Sequence, residues 1–151
     1  MQTFNSIDEV LDFAMNSEQE AVDFYNSLAA RMKNQEMKDV FLQFAQEEVS
    51  HKARLQKIKD EGLFDMDVEK VRDLKIADYV VRSKATDDME YRDALVLAMK
   101  REKAAFKLYT NLSERTEHPG LKKVFQALAV EESKHKLRFE LEYDDYVMRE
   151  N

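Results

Sequence analysis

The chain has 151 residues, with 24 Lys and Arg against 31 Asp and Glu, a formal net charge of −7 and no cysteine. That length suits one domain with one core, and the negative field disfavours phosphate backbones and anionic lipid, so no nucleic-acid or membrane partner is expected. Without cysteine there are no disulfides, no thiolate zinc or iron–sulfur sites and no thiol nucleophile, so a metal would need oxygen and nitrogen ligands. No apolar run approaches the roughly 18 residues of a membrane span, and the first residues lack the pattern of a signal peptide, which makes the cytoplasm the expected location.

Gly62, Pro119 and Gly120 are the only glycines and proline, and they leave long stretches free to be helical. Helices are predicted at about 7–33, 36–61, 90–116 and 120–147. The first opens at a cap formed by Asn5 or Ser6 with Glu9 following. On it Ile7, Leu11, Ala14, Glu18, Ala21, Tyr25 and Leu28 recur in alternating steps of four and three, the seam of a helix facing others in a bundle. The second carries Met37, Phe41, Phe44, Glu48, His51, Leu55 and Ile58 on the same spacing and stops at Gly62. A charged segment over 62–90 then crosses over, with a short helix predicted at about Leu74–Val81 whose Leu74, Ile76, Tyr79 and Val80 pack on the bundle. The third helix carries Tyr91, Leu95, Ala98, Glu102, Ala105, Tyr109 and Leu112, and the fourth Leu121, Phe125, Leu128, Glu132, His135 and Phe139.

Sliding the sequence by 84 residues without a gap lays Leu11 on Leu95, Glu18 on Glu102, Tyr25 on Tyr109, Glu48 on Glu132 and His51 on His135. The repeat halves span about 7–61 and 91–147, so the chain reads as an all-α protein of two duplicated helical hairpins joined by a long crossover. Shared packing explains the repeated apolar residues. It gives no reason to repeat acids and histidines on the buried face.

The midpoint between Glu18 and the Glu48/His51 pair falls near Asn34, and that between Glu102 and Glu132/His135 near His118. Both are natural turns, so each hairpin puts its ionisable residues at one level. Stacking the hairpins brings Glu18, Glu48, His51, Glu102, Glu132 and His135 into one layer. Four buried carboxylates repel, and each costs several kcal/mol to desolvate. Two divalent cations would cancel the charge, and this donor set suits a dinuclear iron or manganese site. Tyr25 and Tyr109 fall two turns along the same face from Glu18 and Glu102. They read either as core aromatics or as phenols that hydrogen-bond the ligand carboxylates. Glu47 and Glu131 read as flanking or supporting acids, Lys52, Arg54, Lys136 and Arg138 as solvated charge, and His118 as a loop residue.

The set Glu18 with Tyr25, Glu48-Val-Ser-His51, Glu102 with Tyr109, and Glu132-Ser-Lys-His135 resembles the ferritin-like superfamily, and within it the rubrerythrin or erythrin group of diiron proteins. The resemblance implies a ferritin-like four-helix bundle in which all six residues bind two iron ions, with Glu48 and Glu132 bridging. It also implies a homodimer and a function in oxidative stress, in which peroxide or dioxygen is reduced with electrons from a donor. That donor must be external, because the cysteine-ligated rubredoxin domain of full-length rubrerythrins is absent from these residues. Rubrerythrins usually carry a further glutamate one turn after the third-helix ligand, where this chain has Ala105. Manganese and zinc are alternative metals, and a ferroxidase, an iron-handling protein and a dimanganese catalase are alternative functions.

Overall fold

In the computed structural model, residues 3–62, 68–81, 84–86 and 88–150 are described. The elements are α1 (Ile7–Arg31), α2 (Gln35–Glu61), the short α3 (Val68–Arg72), a 3-10 turn at Ile76–Asp78, α4 (Tyr91–Arg115) and α5 (Pro119–Glu150). The four long helices fall within three residues of their predicted ends. They form two antiparallel hairpins, α1 with α2 and α4 with α5, whose helices pack closely, whereas α1 and α4 touch little.

The crossover differs from expectation. Its helix lies earlier, at Val68–Arg72, and only the 3-10 turn falls within 74–81. Leu74 and Tyr79 are both buried, yet residues five apart on an α-helix point about 140° away from each other. Breaking the helix lets both side chains enter the core. Ile76 packs beside them, while Val80 is exposed. Residues 63–67, 82, 83 and 87 of the predicted crossover lie outside the described residues.

Local chemistry fixes the turns. Ser6 Oγ accepts from Glu9 N at 3.2 Å to start α1, and Asn34 Oδ1 accepts from Met37 N at 3.2 Å to start α2. Gly62 ends α2 in the left-handed region, at φ 59°. His118 is more than a loop residue: its Nδ1 accepts from Leu121 N at 3.1 Å and so caps α5. Gly120 makes room for that imidazole, since a Cβ there would meet His118 Cε1 at 2.9 Å. Asn34→Ala is expected to cost about 1 kcal/mol in a denaturant melt. An unchanged midpoint would mean that solvent replaces the cap.

The buried apolar residues form two clusters instead of one continuous core. One joins Leu11, Leu55, Leu112 and Phe125 at the end where Phe4, Leu74 and Tyr79 close the bundle. The other joins Leu28, Phe41, Leu95 and Phe139 at the opposite end. Along every long helix the polar seam residues fall between residues of the first cluster and residues of the second.

Candidate metal centre

That intermediate layer holds Glu18, Glu48, His51, Glu102, Glu132 and His135, each at most 2% exposed. Their positions follow from the helix period. Glu48 and His51, and likewise Glu132 and His135, are separated by three residues, so each pair projects from one face of its helix.

The donor atoms fall into two groups, Glu18, Glu48, His51 and Glu132, and Glu48, Glu102, Glu132 and His135, with the atoms of each group within 4.8 Å of one another. Glu48 and Glu132 belong to both. Two ions held this way would share those carboxylates, each taking one histidine and one further glutamate.

Distances alone suggest ion pairs. His51 Nδ1 lies 2.6 Å from Glu132 Oε1 and 3.3 Å from Glu48 Oε1, and His135 Nδ1 lies 3.3 Å from Glu48 Oε1. Hydrogen-bond geometry says otherwise: Glu18 Oε2, Glu48 Oε1, Glu102 Oε2, Glu132 Oε1 and both Nδ1 atoms are buried without a hydrogen-bond partner. Leaving one buried polar group unpaired costs about 1–3 kcal/mol, so a cluster of them aimed at a common space calls for a ligand there. Buried Glu142 provides a contrast, because its carboxylate is met by the Tyr91 hydroxyl at 3.1 Å and by Arg149 at 3.5 Å. The orphaned oxygens and nitrogens suit hard to borderline divalent cations.

Protonation follows the crowding. Burial, followed by the charges of Glu18 and Glu102, raises the Glu48 carboxyl well above its ordinary value. Burial and the charges of Glu102, Glu18 and Glu48 do the same to Glu132. For Glu18 burial pushes upward, but the neighbouring Glu48 and His51, together with the Tyr109 hydroxyl, prevail and lower it. Burial opposes charge on His135, yet Glu102 and Glu48 outweigh it and bring the imidazole to about 10.

The supporting groups cross between hairpins. Tyr25 of α1 donates its hydroxyl to Glu102 of α4, and Tyr109 of α4 donates to Glu18 of α1. Burial, then the carboxylate each one meets, raises both phenols well above their ordinary value, so they remain donors. His135 Nε2 is hydrogen-bonded to Glu47 Oε2 at 3.3 Å, and His51 Nε2 lies 3.2 Å from Glu131 Oε2. The Glu47 carboxylate on the outer nitrogen orients the His135 ring so that Nδ1 faces inward, whereas Glu131 lies near His51 Nε2 without a hydrogen bond to it.

The internal symmetry is incomplete. Arg54 holds Glu131 at 2.9 Å, whereas its counterpart Arg138 turns to Glu36 at 3.1 Å. Phe44 stacks on His135 at 4.0 Å where the repeat has Leu128. Lys52 bonds Gln19, and Lys136 bonds Glu140, both away from the layer. The pairing of Glu47 and Glu131 with the opposite histidines could be inferred only once the hairpins were stacked; their recurrence in the repeat was the one sequence signal. Tyr25→Phe is expected to weaken metal binding about tenfold or more, measured by competition with a chelator. Unchanged affinity would reduce the phenol to packing.

The rubrerythrin family model matches residues 9–143. The chain belongs to the rubrerythrin family. The fold is shared with a Thermotoga maritima protein described, itself provisionally, as ferritin-like diiron-carboxylate: TM-score 0.78, 22% identity, covering 97% of this chain and 99% of that one. A Pyrococcus furiosus protein described only as hypothetical is similar with a TM-score of 0.71 and 25% identity, covering 92% of this chain and 89% of that one. No curated protein matches the sequence. The rubrerythrin membership and the buried carboxylate–histidine cluster together support a dinuclear metal site. Among the described residues no helix is long and apolar enough to cross a membrane.

Proposed function

We propose that the protein is a diiron-carboxylate oxidoreductase that reduces peroxide or dioxygen with electrons from an external donor protein. Glu18, Glu48, His51, Glu102, Glu132 and His135 are its ligands, with Glu48 and Glu132 shared between the ions. The observation that carries this reading is the pair of overlapping donor groups whose buried atoms lack any other partner.

When bound, a ferrous pair would supply the two electrons that peroxide reduction consumes. The chain supplies the rest. Two apolar clusters close the layer off at either end of the bundle. Tyr25 and Tyr109 hold the terminal carboxylates in orientation and keep their own protons. Glu47 holds the outer edge of the His135 imidazole, and Glu131 lies beside that of His51. At the position one turn after Glu102, Ala105 offers no ligand atom, so a ligand change of the usual rubrerythrin kind is not available to this chain.

The test is stopped-flow mixing of the Fe(II)-loaded protein with peroxide and, separately, with dioxygen. Oxidation is expected to be far faster than in Glu48→Ala, with turnover only when a reductant is added. Equal rates in the two proteins would overturn the reading. Oxygen evolution from peroxide with manganese but not iron would point instead to a catalase. Assembly into cages with mineral uptake would point to iron storage, where the proposed reading has a homodimer.

A further inference from the structure

A cavity of about 720 Å³ lies between α1 and α4, beneath the crossover, and its floor is formed by Glu18, Glu48, Glu102 and Glu132. That volume falls within the roughly 300–1,000 Å³ of pockets that hold small organic molecules, and far exceeds what dioxygen or hydrogen peroxide fills. It exists because α1 and α4 stand apart with little contact, and small residues line the gap, Ala14 and Ala21 from one helix and Ala104 and Ala105 from the other. A larger side chain at Ala105 would occupy it.

The walls are mostly apolar, with Phe13, Phe24, Val80, Val81 and Leu108 contributing. Arg101 also lines them. Its guanidinium lies over the Phe24 ring, 5.4 Å from the centroid, and Nη1 reaches Glu20 at 3.4 Å. Its Nε is buried with no hydrogen-bond partner. Glu20 is 68% exposed and engages only the Nη1 end, and Asp23, the other lining acid outside the floor, accepts from Gln19 at 3.0 Å. The Nε edge of Arg101 is therefore left without an acceptor beside the apolar wall of a cavity whose floor is acidic and whose lining also includes Lys84. Internal symmetry does not require this arginine, since its counterpart in the repeat is Ser17.

We infer that this cavity binds an organic monoanion with an apolar body, its carboxylate on the Arg101 Nε edge and its body along Leu108, Val80 and Val81. Arg101 sets the orientation: head on its Nε edge, apolar body along the apolar wall. The inference deepens the proposed function by naming the class of molecule held beside the centre, and to that extent rests on that reading.

The test is calorimetric titration of the full chain, metal-free and metal-loaded, with decanoate and with decan-1-ol, and with metal content measured on the same samples. Decanoate is expected to bind at least about tenfold more tightly than the alcohol, the difference expected of a charge-assisted hydrogen bond. Arg101→Gln should abolish that preference while leaving alcohol binding unchanged, and Ala105→Phe should abolish binding of both. Failure of decanoate to bind either form, or equal binding of acid and alcohol to the unsubstituted chain, would overturn the inference. So would unaltered binding in a folded Ala105→Phe protein. Two metal ions per chain without decanoate binding would leave the metal reading intact, and decanoate binding without metal would do the reverse.

Discussion

Glu132→Gln is expected to change stability in opposite directions with and without metal. The amide cannot bridge two cations, so metal content should fall from two ions per chain to at most about one, and with it the stabilisation that a ligand bound only to the folded state provides. Metal-free, the same variant should be more stable than the unsubstituted chain, by about 2 kcal/mol at mildly alkaline pH. The sign follows from linkage. Burial and neighbouring acids raise Glu132 in the folded state above its ordinary 4.5, so the unfolded chain ionises first and the fold loses stability as pH rises above that value. Glutamine does not titrate, so its advantage should widen from acid to alkaline pH. Denaturant melts of both metal-free proteins at about pH 5 and pH 8 would measure this. A variant less stable at both pH values would mean that Glu132 is satisfied within the protein.

Metal loading should also release protons. Glu48 and Glu132 are held towards their protonated forms, and His135 titrates at about 10 in place of 6.5. Ligation requires all three to be deprotonated, so each proton displaced at a given pH makes affinity rise about tenfold per pH unit. His135 has a second effect. Its raised value contributes stability to the metal-free fold that is complete below 6.5 and lost as pH rises through about 10. Glu18 acts at the other end: its lowered value gives stability above 4.5 that disappears as pH falls through the lowered value. The metal-free protein should therefore weaken in alkali while its demand for metal grows. Titration with Fe(II) or Mn(II) in weak buffer containing a pH indicator checks this, and uptake without acidification at neutral pH would refute it.

The four long helices and the depth of the polar layer were legible in the sequence because each depends on period. Steps of three and four place Glu18, Glu48, Glu102 and Glu132 on seams, and an 84-residue offset repeats them. Period carries no information about a segment without one. The crossover follows its own contacts, and Leu74 and Tyr79 enter the core only because α3 ends at Arg72. The partners of Tyr25 and Tyr109 were unreadable for another reason. Sequence spacing sets them on the same face as Glu18 and Glu102 of their own helices, but the hydroxyls bond the acid of the opposite hairpin. The cavity depends on how far apart α1 and α4 stand, which spacing along the chain does not set, and Arg101 was marked in the sequence only by standing where the first repeat has Ser17.

Because the phenols reach across, and Arg54 and Glu47 bond acid and imidazole of the other hairpin, neither half contains a finished coordination shell. Joining them in one polypeptide turns what would be a bimolecular encounter into an intramolecular one, whose effective concentration is set by the length and stiffness of the connection. The crossover thus acts as a tether, and two duplicated pieces that could each have sought a separate mate are committed to one another.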